Sequence, residues 1–330
     1  MRSIVISSST QRKCTVKLAD DFSDLVREAT HIVDSGVAKK IAQILPTPFH
    51  TIQGGEQAKS IDHVFELYQL FKTKGNRHVY GIGGGSLVGM VSFAATTHTQ
   101  IEELKLFPTT PVAQAMPPIG GRFTINYEFV KNVLEASGLP TSLVVIPSAS
   151  YELLEKNGIS ELLAPMLVSM SFDPRLFSYI RNVSSNGQIT ADTWGDIIWA
   201  SLKAYVGGVE KGCRVIGESM ADAIQSSLRL QIGYSVALAF GSLLEIWLAS
   251  SLELMSESTA REYSGLILSI WSKKWPARLD MSSLTDYIGQ REMLEFAYPQ
   301  DGKTQNHRFS SREFKRIIRG TRAGRMERFT

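Results

Sequence analysis

The sequence predicts an α/β half built on a parallel sheet, followed by a helical half, and three observations carry that expectation. Up to about residue 150, short β-rich runs alternate with longer amphipathic ones. The run at residues 78–82 passes straight into Gly83-Gly84-Gly85. That strand, glycine turn and helix order sets a helix N-terminus against a phosphate. From about Tyr151 the texture changes to long apolar segments joined by polar connectors, which puts residues 1–150 in one domain and 151–330 in a second.

Taken in order, residues 3–7 and 15–18 read as strands, and His31-Ile32-Val33 as a third that closes on Asp34. Residues 37–45 read as a helix. Residues 59–73 repeat apolar side chains at Ile61, Val64, Phe65, Leu67, Leu70 and Phe71, a helical stripe. In the second half, residues 151–170, 193–206, 219–255 and 260–275 read as helical, with 184–187 as a loop. The most apolar stretch, residues 232–248, is shorter than a usual membrane span and carries Glu245 near its end, so it reads as a buried core helix.

The 330 residues, 43% of them hydrophobic, suffice for a substantial core in one large or two medium domains. Basic and acidic residues nearly balance, 35 against 32, which gives no general case for nucleic acid or an acidic membrane as a partner. Basic residues concentrate only in residues 311–330, which read as a solvated or subunit-facing helix with a frayed end, ahead of a nucleic-acid contact. Cys14 and Cys213 make neither a disulfide framework nor a CxxC metal site and read as reduced thiols of a cytoplasmic protein. The N-terminal apolar run is too short for a signal peptide. No histidine occurs between His98 and His307, and the earlier histidines match no ligand spacing.

Three local patterns carry chemistry, each with a plainer reading beside it. Gly83-Gly84-Gly85-Ser86 frees backbone amides for close approach by a pyrophosphate, and is equally the mark of a tight turn. In residues 53–60, Gln-Gly-Gly-Glu-Gln-Ala-Lys-Ser, a second glycine turn brings a carboxylate and an ammonium together, or opens a helix with Glu56 near its dipole. Asp34, at the carboxyl end of a strand, suits the hydroxyls of an adenosine ribose and would repel an added phosphate there; it also suits an N-cap.

Together with Phe93-Ala94-Ala95-Thr96-Thr97, Pro108-Thr109-Thr110, Ala113-Gln114, Ile119-Gly120-Gly121, Ile125-Asn126 and Lys131-Asn132, these patterns resemble 3-dehydroquinate synthase in order and spacing across residues 30–135. Leu202-Lys203-Ala204, Gly212-Cys213-Arg214, Gly217 and Gly233 continue the match more thinly. The resemblance implies a dehydroquinate synthase-like sugar phosphate cyclase fold. It consists of a Rossmann-like NAD-binding domain over 1–150 and an all-helical domain over 151–330 that forms the other wall of a cleft holding NAD and zinc. It also implies a homodimer. By the same resemblance Asp34, Glu56, Lys59, Gly84, Gly85, Thr109 and Thr110 are the NAD residues, while Gly89 stands where the family has an aspartate. Lys131, Asn132, Lys203, Arg214 and Arg122 stand at its substrate and catalytic positions, Arg122 replacing a lysine.

The family's metal and part of its substrate set are replaced. Its zinc glutamate falls at Pro165 and its two zinc histidines at Glu218 and Ile232, which leaves one oxygen donor where a catalytic zinc needs three protein ligands. Met116, Gln100, Val168 and Asp222 replace an aspartate, an arginine, a lysine and a phosphate-facing histidine. Asp301-Gly302-Lys303 faintly resembles the family's terminal lysine motif. Three readings follow. In the first, the protein binds NAD and acts without zinc on a non-phosphorylated polyhydroxy or keto substrate. In the second it is an inactive NAD-binding partner of another protein, and the third, least favoured, is an active sugar phosphate cyclase. A divalent cation between Glu218 and Asp222, four residues apart on one helix face, is a minor alternative to Glu218 capping its helix or pairing with Arg214.

Overall fold

The computed structural model describes residues 2–7, 13–44, 48–187, 189–271, 281–291, 293–300 and 303–320. It divides into two compact units, Met1–Gly158 with Thr190–Leu202, and Ile159–Ile189 with Lys203–Thr330.

The first unit opens with β1 (Arg2–Ser7), β2 (Lys13–Leu18), β3 (Thr30–Asp34), α1 (Ala38–Ile44), β4 (His50–Ile52), α2 (Ile61–Lys74) and β5 (His78–Gly83). It continues through α3 (Gly85–Thr97), β6 (Glu103–Pro108), α4 (Pro111–Ala115), β7 (Arg122–Tyr127), β8 (Val130–Ser137), β9 (Ser142–Val145) and α5 (Pro147–Asn157). The main sheet has the order β1-β2-β9-β6-β5-β3-β4, parallel throughout except for the antiparallel edge strand β1. Near-continuous burial along β3 and β5 is what a parallel sheet covered on both faces demands.

The strand order contains the feature that matters for a ligand. From β3 the chain winds outward to β4, then returns across β3 to β5 and proceeds the other way to β6 and β9. The reversal separates the loops after β3 and β5 and opens a crevice at the carboxyl ends of those strands.

Capping fixes α2. The Ser60 hydroxyl accepts from the His63 amide at 3.5 Å, and Gly75 ends the helix in the left-handed conformation. Val64, Leu67 and Phe71 of the expected stripe are buried, whereas Phe65, 56% exposed, lies on the outer face. Helix α3 is buried from Leu87 to Ala95, so the helix that begins at the glycine turn runs through the core. Burial pushes the Cys14 thiol up to about 12, leaving it inert at neutral pH. His31, buried edge-on against Tyr80, is held below its ordinary value by burial and stays neutral.

The second unit holds a 3-10 turn (Gly158–Leu162), α6 (Leu163–Phe172), α7 (Pro174–Asn186), the end of α8 (Ala191–Val209), α9 (Glu218–Ser227), α10 (Tyr234–Ser251), α11 (Glu257–Ile270) and α12 (Met281–Gly289). Then come β10 (Met293–Gln300), β11 (Lys303–Ser310) and α13 (Ser311–Gly320). This part is helical but not all-helical, because β10 and β11 pair as an antiparallel hairpin. A short run such as 293–300 has no periodicity that distinguishes strand from helix, and burial of Phe296 and Phe309 decides the matter. The single helix expected over 219–255 is two helices, because Arg229 and Leu230 take left-handed conformations after α9. Residues 237–249 of α10 are buried, Glu245 among them, so this apolar helix is core. Asp301, Gly302 and residues 321–330 lie outside the described residues.

Candidate functional site

Four loops at the carboxyl ends of parallel strands build a cavity of about 420 Å³ lined by Asp34, Ser35, Gly36, Gln53, Gly54, Gly55, Gly84, Gly85, Ser86 and Thr110. The Asp34 Oδ1 atom accepts from the Gly36 amide at 2.9 Å, which fixes the carboxylate at the tip of β3. Its other oxygen lies over the β4 loop so closely that a Cβ on Gly54 would sit 2.2 Å from it. A Cβ on Gly83 would lie 2.7 Å from the Asp34 Cβ. These two glycines are therefore room made for one carboxylate. Gly84 is the N-cap of α3 and offers no side-chain cap, while Thr110, the N-cap of α4, spends its hydroxyl on the Ala113 amide at 3.3 Å. A helix that starts without a side-chain acceptor leaves its first amides to an outside anion.

Beside the cavity lies a tight charged cluster. The Glu56 carboxylate receives the Ser86 hydroxyl at 2.8 Å and the Asn126 amide at 3.2 Å, with the Lys131 ammonium at 3.6 Å. The Lys131 and Glu56 side chains are only 4% and 9% exposed, so the pair acts with little screening. Burial pushes Glu56 up, but the two ammonium groups of Lys131 and Lys59 and the donations from Ser86 and Asn126 outweigh it and hold the carboxyl at about 2. The Lys59 ammonium donates to Asn132 Oδ1 at 2.7 Å and to the Thr124 hydroxyl at 3.4 Å, and that hydroxyl donates to Asn132 Oδ1 at 2.8 Å. A Cβ on Gly89 would stand 3.6 Å from the Lys59 ammonium, so a side chain there would reach the same group.

A bulge delivers Lys131 and Asn132 into this cluster. Strands β7 and β8 pair as a hairpin whose turn, Glu128-Phe129, has both φ values positive, the signature of the twist-matched two-residue turn. Two residues on, the register slips between Ile125 and Tyr127, and Asn132 takes φ 56. Its amide is held there by Asn126 Oδ1 at 2.9 Å. A bulge of this kind re-aims side chains off the sheet's alternation.

The sequence-predicted nucleotide residues are thus gathered. Asp34, Gly84, Gly85 and Thr110 line the cavity, Glu56 and Lys59 form the adjoining cluster, and Thr109 is buried with its amide on the Gly83 carbonyl at 2.9 Å. Of the substrate positions, Lys131 and Asn132 join the cluster. Arg122 instead pairs with Glu135 at 3.5 Å on the hairpin surface, 61% exposed. Lys203 is an exposed residue of the second unit, where Arg214 donates to the Ser219 hydroxyl at 3.4 Å. Ser86, Thr124 and Asn126 complete the cluster; Ser86 and Asn126 fall within the sequence patterns without a role of their own there, and Thr124 falls outside them. Their polar side chains are unremarkable in a linear reading, and only the hairpin fold brings them to Glu56.

In the second unit, Pro165 and Val168 are buried in α6. Glu218, the first residue of α9, turns back to accept the Val215 amide at 2.8 Å in the turn before the helix. Ile232 offers its carbonyl to the Gln225 amide at 2.8 Å. Among the described residues no three His, Cys, Asp or Glu side chains converge as metal ligands.

Comparison with known proteins shows what this arrangement is similar to. Residues 49–161 match the family model described as 3-dehydroquinate synthase N-terminal. The 3-dehydroquinate synthase of Pyrobaculum islandicum is 26% identical over 238 residues, 68% of this chain and 68% of that protein. The fold matches 2-epi-5-epi-valiolone synthase from Streptomyces hygroscopicus, solved with NAD+ and Zn2+ bound, at TM-score 0.78 and 17% identity over 95% of this chain and 98% of that one. It also matches 2-deoxy-scyllo-inosose synthase in complex with carbaglucose-6-phosphate, NAD+ and Co2+, at TM-score 0.78 and 16% identity over 97% of this chain and all of that one. The matched N-terminal segment and the curated relatives make the chain similar to the 3-dehydroquinate synthases, and it shares the fold of the two synthases solved with NAD+ and a metal ion.

Proposed function

We propose that the protein binds NAD at the carboxyl ends of β3, β4, β5 and β6 and transforms a polyhydroxy or keto compound that carries no phosphate, without the zinc of its family. The observation that carries the nucleotide part is the pair of glycines, Gly54 and Gly83, opened around the fixed Asp34 carboxylate. In this reading Asp34 accepts from the adenosine ribose hydroxyls, and the uncapped amides at Gly84 and Gly85 receive the pyrophosphate. Bound NAD supplies a two-electron oxidant for an alcohol carbon. Lys131 and Lys59, packed around Glu56 in a little-screened cluster, stabilise negative charge that develops on a reacting oxygen. Glu56, with its carboxyl near 2, is too weak a base to take the proton and serves to hold the two ammonium groups.

The donor set does not fit zinc. Pro165 and Ile232 have no ligating side chain, and Glu218 is engaged with the Val215 amide. By the resemblance Asp222 replaces a phosphate-facing histidine, and a carboxylate in that role favours a substrate without phosphate by like-charge repulsion. A second reading, a non-catalytic NAD-binding partner of another protein, is favoured by the burial of donor-free Pro165 and Val168 where the resemblance expects functional side chains.

Calorimetric titration of purified protein with NAD, with metal analysis of the same sample, tests the proposal. Saturable binding and no stoichiometric divalent ion are expected. A stoichiometric metal overturns the zinc-free reading, and absence of binding overturns both readings. Bound NAD that becomes reduced when candidate polyols are added supports the enzyme; no absorbance change at the reduced cofactor's band across a polyol panel supports the partner reading.

A further inference from the structure

Asn126 lies at the centre of the first-unit cluster, 4% exposed, and its backbone amide and both ends of its side-chain amide reach two other segments of the chain. Its backbone amide donates to the Lys59 carbonyl at 2.9 Å. Its side-chain nitrogen donates to the Glu56 carbonyl at 2.7 Å and to Glu56 Oε2 at 3.2 Å. Its side-chain oxygen accepts the Asn132 amide at 2.9 Å, at the one residue of the bulge held in a left-handed conformation. We infer that Asn126 is a positioning residue that ties the 53–60 turn to the Lys131-Asn132 bulge, so that nucleotide binding and the placement of those two side chains are set by one amide.

The chemistry of the group supports the assignment. A side-chain amide carries a donor and an acceptor on one rigid group, so it satisfies a carboxylate on one side and a backbone amide on the other. Aspartate has the same shape and places an oxygen where the nitrogen was, 3.2 Å from Glu56 Oε2. Two carboxylates at that distance share a proton, and while protonated the pair reproduces the donation that asparagine makes. Alanine removes both groups and leaves the Asn132 amide without its acceptor.

The test uses the full chain as Asn126→Asp and Asn126→Ala. In the wild type the Glu56 carboxyl carbon shows no titration by NMR above about pH 4; in Asn126→Asp it shifts above about pH 5. NAD affinity of that variant falls about tenfold as pH rises through this ionisation, while the wild type holds level over the same span. In Asn126→Ala the Asn132 amide exchanges with solvent at least about tenfold faster, with exchange in β5 and β6 unchanged. A folded Asn126→Asp with no new Glu56 ionisation overturns the inference, and so does a folded Asn126→Ala that keeps Asn132 protected. The NAD arm rests on the function proposed above; wild-type protein that binds no NAD fails that proposal alone, because the carboxyl and amide arms still decide the role of Asn126.

Discussion

Alanine at Gly54 perturbs the nucleotide cavity at a single point. The backbone there needs no left-handed conformation, so the added methyl acts through space alone. It would stand 2.2 Å from one Asp34 oxygen and 3.0 Å from the other, against an ordinary contact of 3.4 Å or more. The carboxylate must retreat by about 1 Å, which breaks its 2.9 Å bond from the Gly36 amide and withdraws it from the ribose position. A hydrogen bond to a charged group contributes about 1.5–3 kcal/mol, so loss of one ribose contact weakens NAD binding by roughly ten- to hundredfold. Calorimetric titration measures this directly. Gly75→Ala is the control: it ends α2 outside the cavity lining, its φ of +67 makes any side chain strained, and a Cβ there meets nothing within 4 Å. That variant should lose about 1–2 kcal/mol of stability and keep its NAD affinity. A folded Gly54→Ala that binds NAD within about threefold of the wild type would refute the placement of Asp34.

Two further outcomes concern buried carboxyls in separate pH windows. Glu56, lowered from 4.5 to about 2, contributes stability that is present above pH 4.5 and lost as pH falls through 2. Urea unfolding between pH 5 and 2.5 should show a loss of about 2 kcal/mol in the wild type, and Glu56→Gln should lack that component; parallel profiles would contradict the cluster's electrostatics. Glu245 is buried against the start of α9 and against β10, accepting the Gly217, Met220 and Ala297 amides at 2.7, 3.0 and 3.3 Å. Burial outweighs these three donors and pushes it to about 8. Its contribution is therefore full below pH 4.5 and lost as pH rises through 8. Melting temperatures between pH 5 and 9 should fall through this component in the wild type and not in Glu245→Gln; equal slopes would assign the decline elsewhere.

Much of the first unit was legible because its signals are local. The run into Gly83-Gly84-Gly85 identifies a strand meeting a helix, and the apolar stripe over 59–73 identifies α2. Asp34 at a strand's end was visible for the same reason. The bulge at Asn132 had no such signal: Glu128-Phe129 is a poor match to the glycine and asparagine usual in that turn. Arg122 illustrates the converse. Its position resembles a site residue, yet the strand carries it to the hairpin surface beside Glu135.

The sequence by itself determined the α/β unit, its glycine turns and which side chains carry charge, because periodicity and turn chemistry act over a few residues. Tertiary structure alone decided what those charges do. The β3–β5 reversal opens the crevice, and a bulge held by Asn126 turns Lys131 toward Glu56. Glu245, read from sequence as one charge in an apolar run, becomes the acceptor for three amides from two other elements. Such pairings join residues tens of positions apart, and their strength depends on burial, which no linear pattern records.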